Sequence, residues 1–224
     1  MNNETDKEEK PIETLSDESS NVQSSVQSSN EESDFTSENK PCNHCANPEN
    51  PPNPTKELRS ELKKDEPDEK IVSDLIKAGA DLNARGNCNK TALMLAIQSE
   101  NPDEKIVSDL IKAGADLNAR GNCNQTALML AIQSEKPDEK IISDLINAGA
   151  DLNARNNSNQ TALMLAIQSE KPDAKIISDL INAGADTKAE DKDKKRAIDY
   201  IESYLAANKN FPDRAVFEQL RDML

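Results

Sequence analysis

Four cysteines and a single histidine are the side chains most able to do chemistry here, and three of the five stand together as Cys42-Asn43-His44-Cys45. Two thiolates three residues apart with an imidazole between them offer three ligands to a soft or borderline metal. A structural zinc site closes with four, usually from a second pair further along the chain. No second pair follows, so Cys42, His44 and Cys45 are read as two thiols and an imidazole on a polar segment, with zinc binding or dithiol redox chemistry as the alternative. Cys88 and Cys123 lie 35 residues apart in identical Gly-Asn-Cys-Asn contexts, and Ser158 takes the third equivalent position. Packed elements stack about 8–10 Å apart, whereas disulfide-bonded Cα atoms lie about 4.4–6.8 Å apart. These two cysteines are therefore expected as unbridged thiols.

Catalysis finds little support. With His44 in the polar segment ahead of residue 55, no Ser–His or Cys–His pairing is available within the part expected to fold, and the six glycines occur singly rather than in a phosphate-cradling loop. Asp109, Asp116 and their copies recur at equivalent positions, which suits solvated faces and turn bonds better than one convergent site. The expectation is a non-enzyme with no cofactor.

The elements that must position these residues repeat. Ile71–Lys105 and Ile106–Lys140 differ only at Lys90/Gln125 and Asn101/Lys136, and Ile141–Lys175 differs from its predecessor at five positions. Self-similarity at a fixed period of this length indicates a stacked repeat architecture, in which each unit buries its apolar face only against its neighbours. Aromatics make up 2% of the chain and there is no Trp, so the core must be built from Leu, Ile, Val, Ala and Met, which suits closely stacked helices. Each unit reads as two helices. Thr91, Thr126 and Thr161 are placed to cap the first, running through Leu93, Leu95, Ala96 and Ile97. Pro102, Pro137 and Pro172 suit a first helical position of the second, with Asn101 and Glu104 spaced as a capping box. Ile106, Val107, Leu110 and Ile111 form its apolar stripe, and Gly114 is placed to end it.

Residues 1–54 carry twelve acids and three bases, a net −9 of the whole chain's −15. Rich in Ser, Glu, Asn and Pro, this leader is expected to be disordered, because it cannot bury enough apolar surface to offset its chain entropy. The acidic balance argues against nucleic acid and anionic membranes as partners. The start Met-Asn-Asn-Glu-Thr-Asp has neither the basic nor the apolar region of a secretory signal. A cytoplasmic monomer is expected, or one exported by a route without a cleavable signal, for example into a host cell; a structural or self-associating scaffold is the alternative.

Thr91-Ala-Leu-Met-Leu-Ala-Ile97 and Leu110-Ile-Lys-Ala-Gly-Ala-Asp-Leu-Asn118, both recurring in all three copies, resemble the ankyrin repeat, about 33 residues long with a T-P-L-H-x-A signature. Here the period is 35, Ala92 stands where the family often has Pro, and Met94 where it often has a His that ties one unit to the neighbouring turn. Gly86 and Gly121 replace a common tip Asp, and Asn89, Asn124 and Asn159 take a usual Gly position, a substitution Asn tolerates at positive φ. The resemblance implies an all-α solenoid over residues 55–224. Its parts would be an N-terminal cap unit (55–84), three repeats (85–119, 120–154, 155–189) and an aromatic C-terminal cap (190–224), in which Phe211, Val216, Phe217, Leu220 and Leu224 would pack. It also implies a protein-binding module that grips a partner with its hairpin tips and the exposed side of each first helix. Carried onto this chain, those positions are Arg85, Asn87, Cys88, Lys90, Gln98 and Ser99; Arg120, Asn122, Cys123, Gln125, Gln133 and Ser134; and Arg155, Asn157, Ser158, Gln160, Gln168 and Ser169. The ladder Arg85–Arg120–Arg155 would suit an acidic or polar strip on the partner. The competing reading pairs these arginines with nearby Asp of the same or the next turn.

Overall fold

Each of the three Thr-Ala-Leu-Met-Leu-Ala-Ile stretches forms a short helix with Thr as its cap. The Thr91, Thr126 and Thr161 hydroxyls accept the backbone N–H of Met94, Met129 and Met164 at 3.4–3.5 Å. The computed structural model describes residues 53–209 and 213–224, all helix and turn, with no β-strand among them. The helices in order are α1 (Pro54–Glu61), α2 (Glu69–Lys77), α3 (Ala92–Ile97), α4 (Glu104–Lys112), α5 (Ala127–Ile132), α6 (Glu139–Asn147), α7 (Ala162–Gln168), α8 (Ala174–Asn182), α9 (Ala197–Ala207) and α10 (Arg214–Met223). They pair as α1·α2, α3·α4, α5·α6, α7·α8 and α9·α10, and each pair stacks on the next. The first begins one residue before the expected start, with Asn53 capping the Thr55 and Lys56 N–H groups.

The second helix of each unit opens differently from expectation. Its cap is Asp103, Asp138 or Asp173, whose carboxylate accepts two backbone N–H bonds in the first turn. Pro102 therefore precedes the cap instead of opening the helix, and Asn101 and Glu104 make no capping box. A carboxylate at the cap also meets the positive end of the helix dipole, which an Asn amide does less well. At the other end Gly114 has φ +88°. Its N–H bonds to Ile111 O and that of Ala115 to Leu110 O, both at 3.0 Å, a pair that satisfies the last carbonyls through a left-handed residue.

One continuous core threads all five pairs, from Leu58 through Leu93, Leu128 and Leu163 to Ile201, Phe217 and Leu220. In the last unit Tyr204 and Phe217 stack tilted, with ring centroids 5.1 Å apart. Val216, expected in that core, is instead 43% exposed, because α10 turns Phe217 and Leu220 inward. Phe211 lies outside the described residues.

The tips are where the three repeats differ. Asn156 in the third tip accepts the Ser158 and Gln160 N–H groups at 2.9 Å with its side chain, and Asp191 does the same for Asp193 and Lys195 in the last. Gly86 and Gly121 have no side chain for this. In those two tips Cys88 and Cys123, as well as the following Asn89 and Asn124, adopt φ of 54–60°, whereas the third tip places only Asn159 there. A non-glycine residue in this region costs energy. Gly121 has φ −85°, and a Cβ there would stand 3.0 Å from Met94 Sδ, at the end of a flexible side chain, and in ordinary van der Waals contact with Gln125 O at 3.5 Å. Gly121→Asn is thus expected to stabilise the protein by about 0.5–1 kcal/mol, read as a rise in urea midpoint. Gly86→Asn is expected to destabilise it, because its Cβ would overlap the Arg59 guanidinium.

Candidate functional site

Arg59 stands in the cap unit at the place Met94 takes in the next. Its Nη1 donates to Ala84 O at 2.8 Å and Lys90 O at 2.9 Å, tying α1 to the first tip. The three ladder arginines make the corresponding link from tip to tip. Nη1 of Arg85 donates to Arg120 O (2.6 Å), that of Arg120 to Arg155 O (2.9 Å), and that of Arg155 to Glu190 O (2.6 Å). Among the described residues none of the three pairs with a carboxylate, so the Asp partners of the competing reading are replaced by backbone carbonyls one unit on. Only Nη1 is engaged; Nε and Nη2 of all three carry no hydrogen bond among the described residues.

A second ladder runs parallel to this one. Asn83 Oδ1 accepts the Asp116 N–H at 2.8 Å, Asn118 Oδ1 that of Asp151 at 2.8 Å, and Asn153 Oδ1 that of Asp186 at 2.7 Å. Thr55 fills the role for the first unit by accepting from Asp81 N. The Met positions are buried and apolar, and the polar ties described here between units are made by Asn and Arg.

The exposed side of the first helices carries a polar row. Gln98, Gln133 and Gln168 are exposed and Ser99, Ser134 and Ser169 half-buried. Between α3 and α5 they bound a groove of about 760 Å³ lined by Gln98, Ser99, Gln125, Leu130, Gln133 and Ser134. Gln125 Nε2 donates to Gln133 Oε1, and Gln160 Nε2 to Gln168 Oε1 at 3.0 Å, so the amides are held in place by their neighbours. Gln160, Gln168 and Ser169 repeat the arrangement one unit on, outside this groove. Lys90, Asn122 and Asn157 sit at the tips, where the Asn157 N–H donates to Cys123 O at 2.8 Å; the side chain of Asn87 lies outside the described residues. Half-buried Leu130 and buried Ile97 supply the apolar part of the groove floor; helical periodicity does not separate a core residue from one at a groove edge.

Cys88 and Cys123 are free and exposed, and no group of three or more potential metal ligands occurs among the described residues. Cys42, His44 and Cys45 lie outside those residues.

At the last tip Tyr200 OH donates to buried Asp191, and Lys195 Nζ lies 5.6 Å from the Tyr200 ring centroid. Burial acts to raise the Asp191 carboxyl, but hydrogen bonds from Tyr200 and from the Lys195 and Asp193 N–H groups outweigh it and hold it below its ordinary value. Burial, followed by the bond to and charge of Asp191, pushes the Tyr200 phenol up to about 12. A phenol raised in the fold stabilises it fully below pH about 10, its unfolded value, and loses that contribution as pH rises through about 12. Absorbance titration is expected to show one of the two tyrosines ionising near pH 12, a step absent in Tyr200→Phe; that variant should lose about 1–2 kcal/mol at neutral pH.

A family model described as ankyrin repeats (3 copies) matches residues 64–156 and 101–191, which together cover more than half of the chain. The chain belongs to the ankyrin-repeat family. No curated protein matches it. Ankyrin repeats are in general protein–protein interaction modules and typically non-catalytic. In this ankyrin-repeat chain the helix pairs and capping threonines follow the family, while in the three repeats its usual His and tip Asp are replaced by the Met, Arg and Asn arrangements above, and the last tip keeps an Asp, Asp191.

Proposed function

We propose that the chain binds a partner protein along the row formed by the tips and the exposed side of α3, α5 and α7. The groove between α3 and α5 carries this reading. It brings Gln98, Ser99, Gln125, Gln133 and Ser134 onto one concave surface around partly buried Leu130. A few fixed polar groups around an apolar floor supply orientation and specificity. The arginines add to it. With Nη1 anchored on a carbonyl, each guanidinium is held in place with its Nε–Nη2 edge unbonded, and that edge can take a partner carboxylate in two parallel bonds at little further entropy cost. The partner surface is therefore acidic or polar, and the work done is recognition without catalysis.

Immobilised full-length protein and a Gln133→Arg, Ser134→Arg variant would be compared for proteins retained from cell extract. Filling the groove should remove the retained species, while Lys112→Glu on the opposite, outer helix should keep it. Equal retention by the groove variant and the wild type would refute the reading.

A further inference from the structure

The large hydrophobic side chains exposed among the described residues are Ile71, Val216 and Met223. Ile71 is on the first helix pair, Val216 and Met223 on the last, so they mark the two ends of the stack. The first end is open for a specific reason. α2 and α4 have the same sequence, Glu-Lys-Ile-Val-Ser-Asp-Leu-Ile-Lys. In α4 the preceding unit covers Ile106 and Leu110, leaving 2% and 0% exposed, and Ile141, Leu145, Ile176 and Leu180 are covered likewise. In α2 the equivalent Ile71 is 43% exposed and Leu75 only partly buried. This unit therefore carries the apolar pair that the array uses to seat on a preceding outer helix. At the other end α10 turns Phe217 and Leu220 toward the stack and leaves Ala215, Val216, Gln219 and Met223 exposed.

We propose that this chain associates head to tail with further copies of itself, the α10 face carrying Val216 and Met223 of one copy seating on Ile71 and Leu75 of the next. The contact continues an interface already made four times within the chain, α4 on α2, α6 on α4, α8 on α6 and α10 on α8. Two different surfaces meet, so the association does not close on itself and yields short open rows. The groove proposed to bind a partner is left free. The net charge of −15 opposes the approach of copies. Added salt screens that repulsion and leaves the apolar contact intact, so association should strengthen as salt rises.

Sedimentation of the full chain across a concentration and salt series tests this. The weight-average mass is expected to rise above 24.6 kDa with concentration, without levelling at a dimer. Ile71→Glu should return it to the monomer, and so should Val216→Glu with Met223→Glu. Both variants change exposed positions, and unaltered thermal unfolding would confirm that they fold. An equimolar mixture of the two should stop at a dimer, because each retains one working end. A wild-type chain that stays at 24.6 kDa in all conditions overturns the proposal. So does association indifferent to Ile71→Glu, or a dimer that survives Val216→Glu with Met223→Glu, which would join two first ends.

Discussion

Ile106→Ala is expected to lower the unfolding free energy by about 2–5 kcal/mol, and Ile71→Ala by less than about 1 kcal/mol. The two residues sit at the same place in identical nine-residue helices. Helix propensity, capping by Asp and neighbouring side chains are therefore matched, and the difference isolates what the preceding unit adds. At Ile106, which is 2% exposed, truncation removes buried methyl groups and leaves a cavity between α2 and α4. At Ile71 much of the side chain already meets water, and the higher helix propensity of Ala offsets part of the loss. Urea unfolding of the full-length variants, followed by circular dichroism, gives both numbers. The comparison is made at a concentration where the wild type sediments as a monomer; equal costs at the two sites there would mean that Ile71 is covered within its own chain, and the description of an open first end would fail.

Removing the three guanidiniums together, Arg85→Ala, Arg120→Ala and Arg155→Ala, is expected to cost about 3–5 kcal/mol. Hydrogen bonds from charged donors contribute about 1.5–3 kcal/mol each, and partial exposure lowers these three toward about 1–1.5. The cost falls on contacts between units, so the units lose coupling and the unfolding transition should broaden as well as shift. Replacement by Lys should recover only part, since an ammonium lacks the planar fork that holds a fixed carbonyl. If the variant unfolded like the wild type, the tip-to-tip bonds would contribute nothing in solution.

The outer helices carry a further ladder, Glu69–Lys105, Glu104–Lys140 and Glu139–Lys175. Lys105 and Lys175 are raised above their ordinary value first by their hydrogen bonds to Glu69 and Glu139, and Lys140 first by its bond to Asp144. A raised Lys stabilises the fold below about pH 10.5 and loses its contribution as pH rises beyond. These pairs are exposed, and salt screens them.

Much of the fold was legible because its cues are local. Thr before an apolar run, Gly after one and Asn at a positive-φ tip each state a backbone preference within a few residues, and threefold repetition made each visible three times. The second-helix cap was misassigned between Asn101 and Asp103, since both precede the same apolar run and only the backbone geometry separates them. The guanidinium acceptors were not legible at all. Arg85 has acidic residues near it in sequence, but it bonds to the carbonyl of Arg120, 35 residues away, and a carbonyl leaves no trace in a residue's identity.

By itself the sequence determined the repeat, the helix pairs, and the capping threonines and closing glycines. Those follow from propensity and periodicity, which act over one or two turns. Tertiary structure alone decided which identical residues are buried. One nonapeptide occurs as α2 and as α4; in one its isoleucine meets water and in the other it is sealed. Burial belongs to the neighbour that covers a side chain, and among the described residues no helix pair precedes the first.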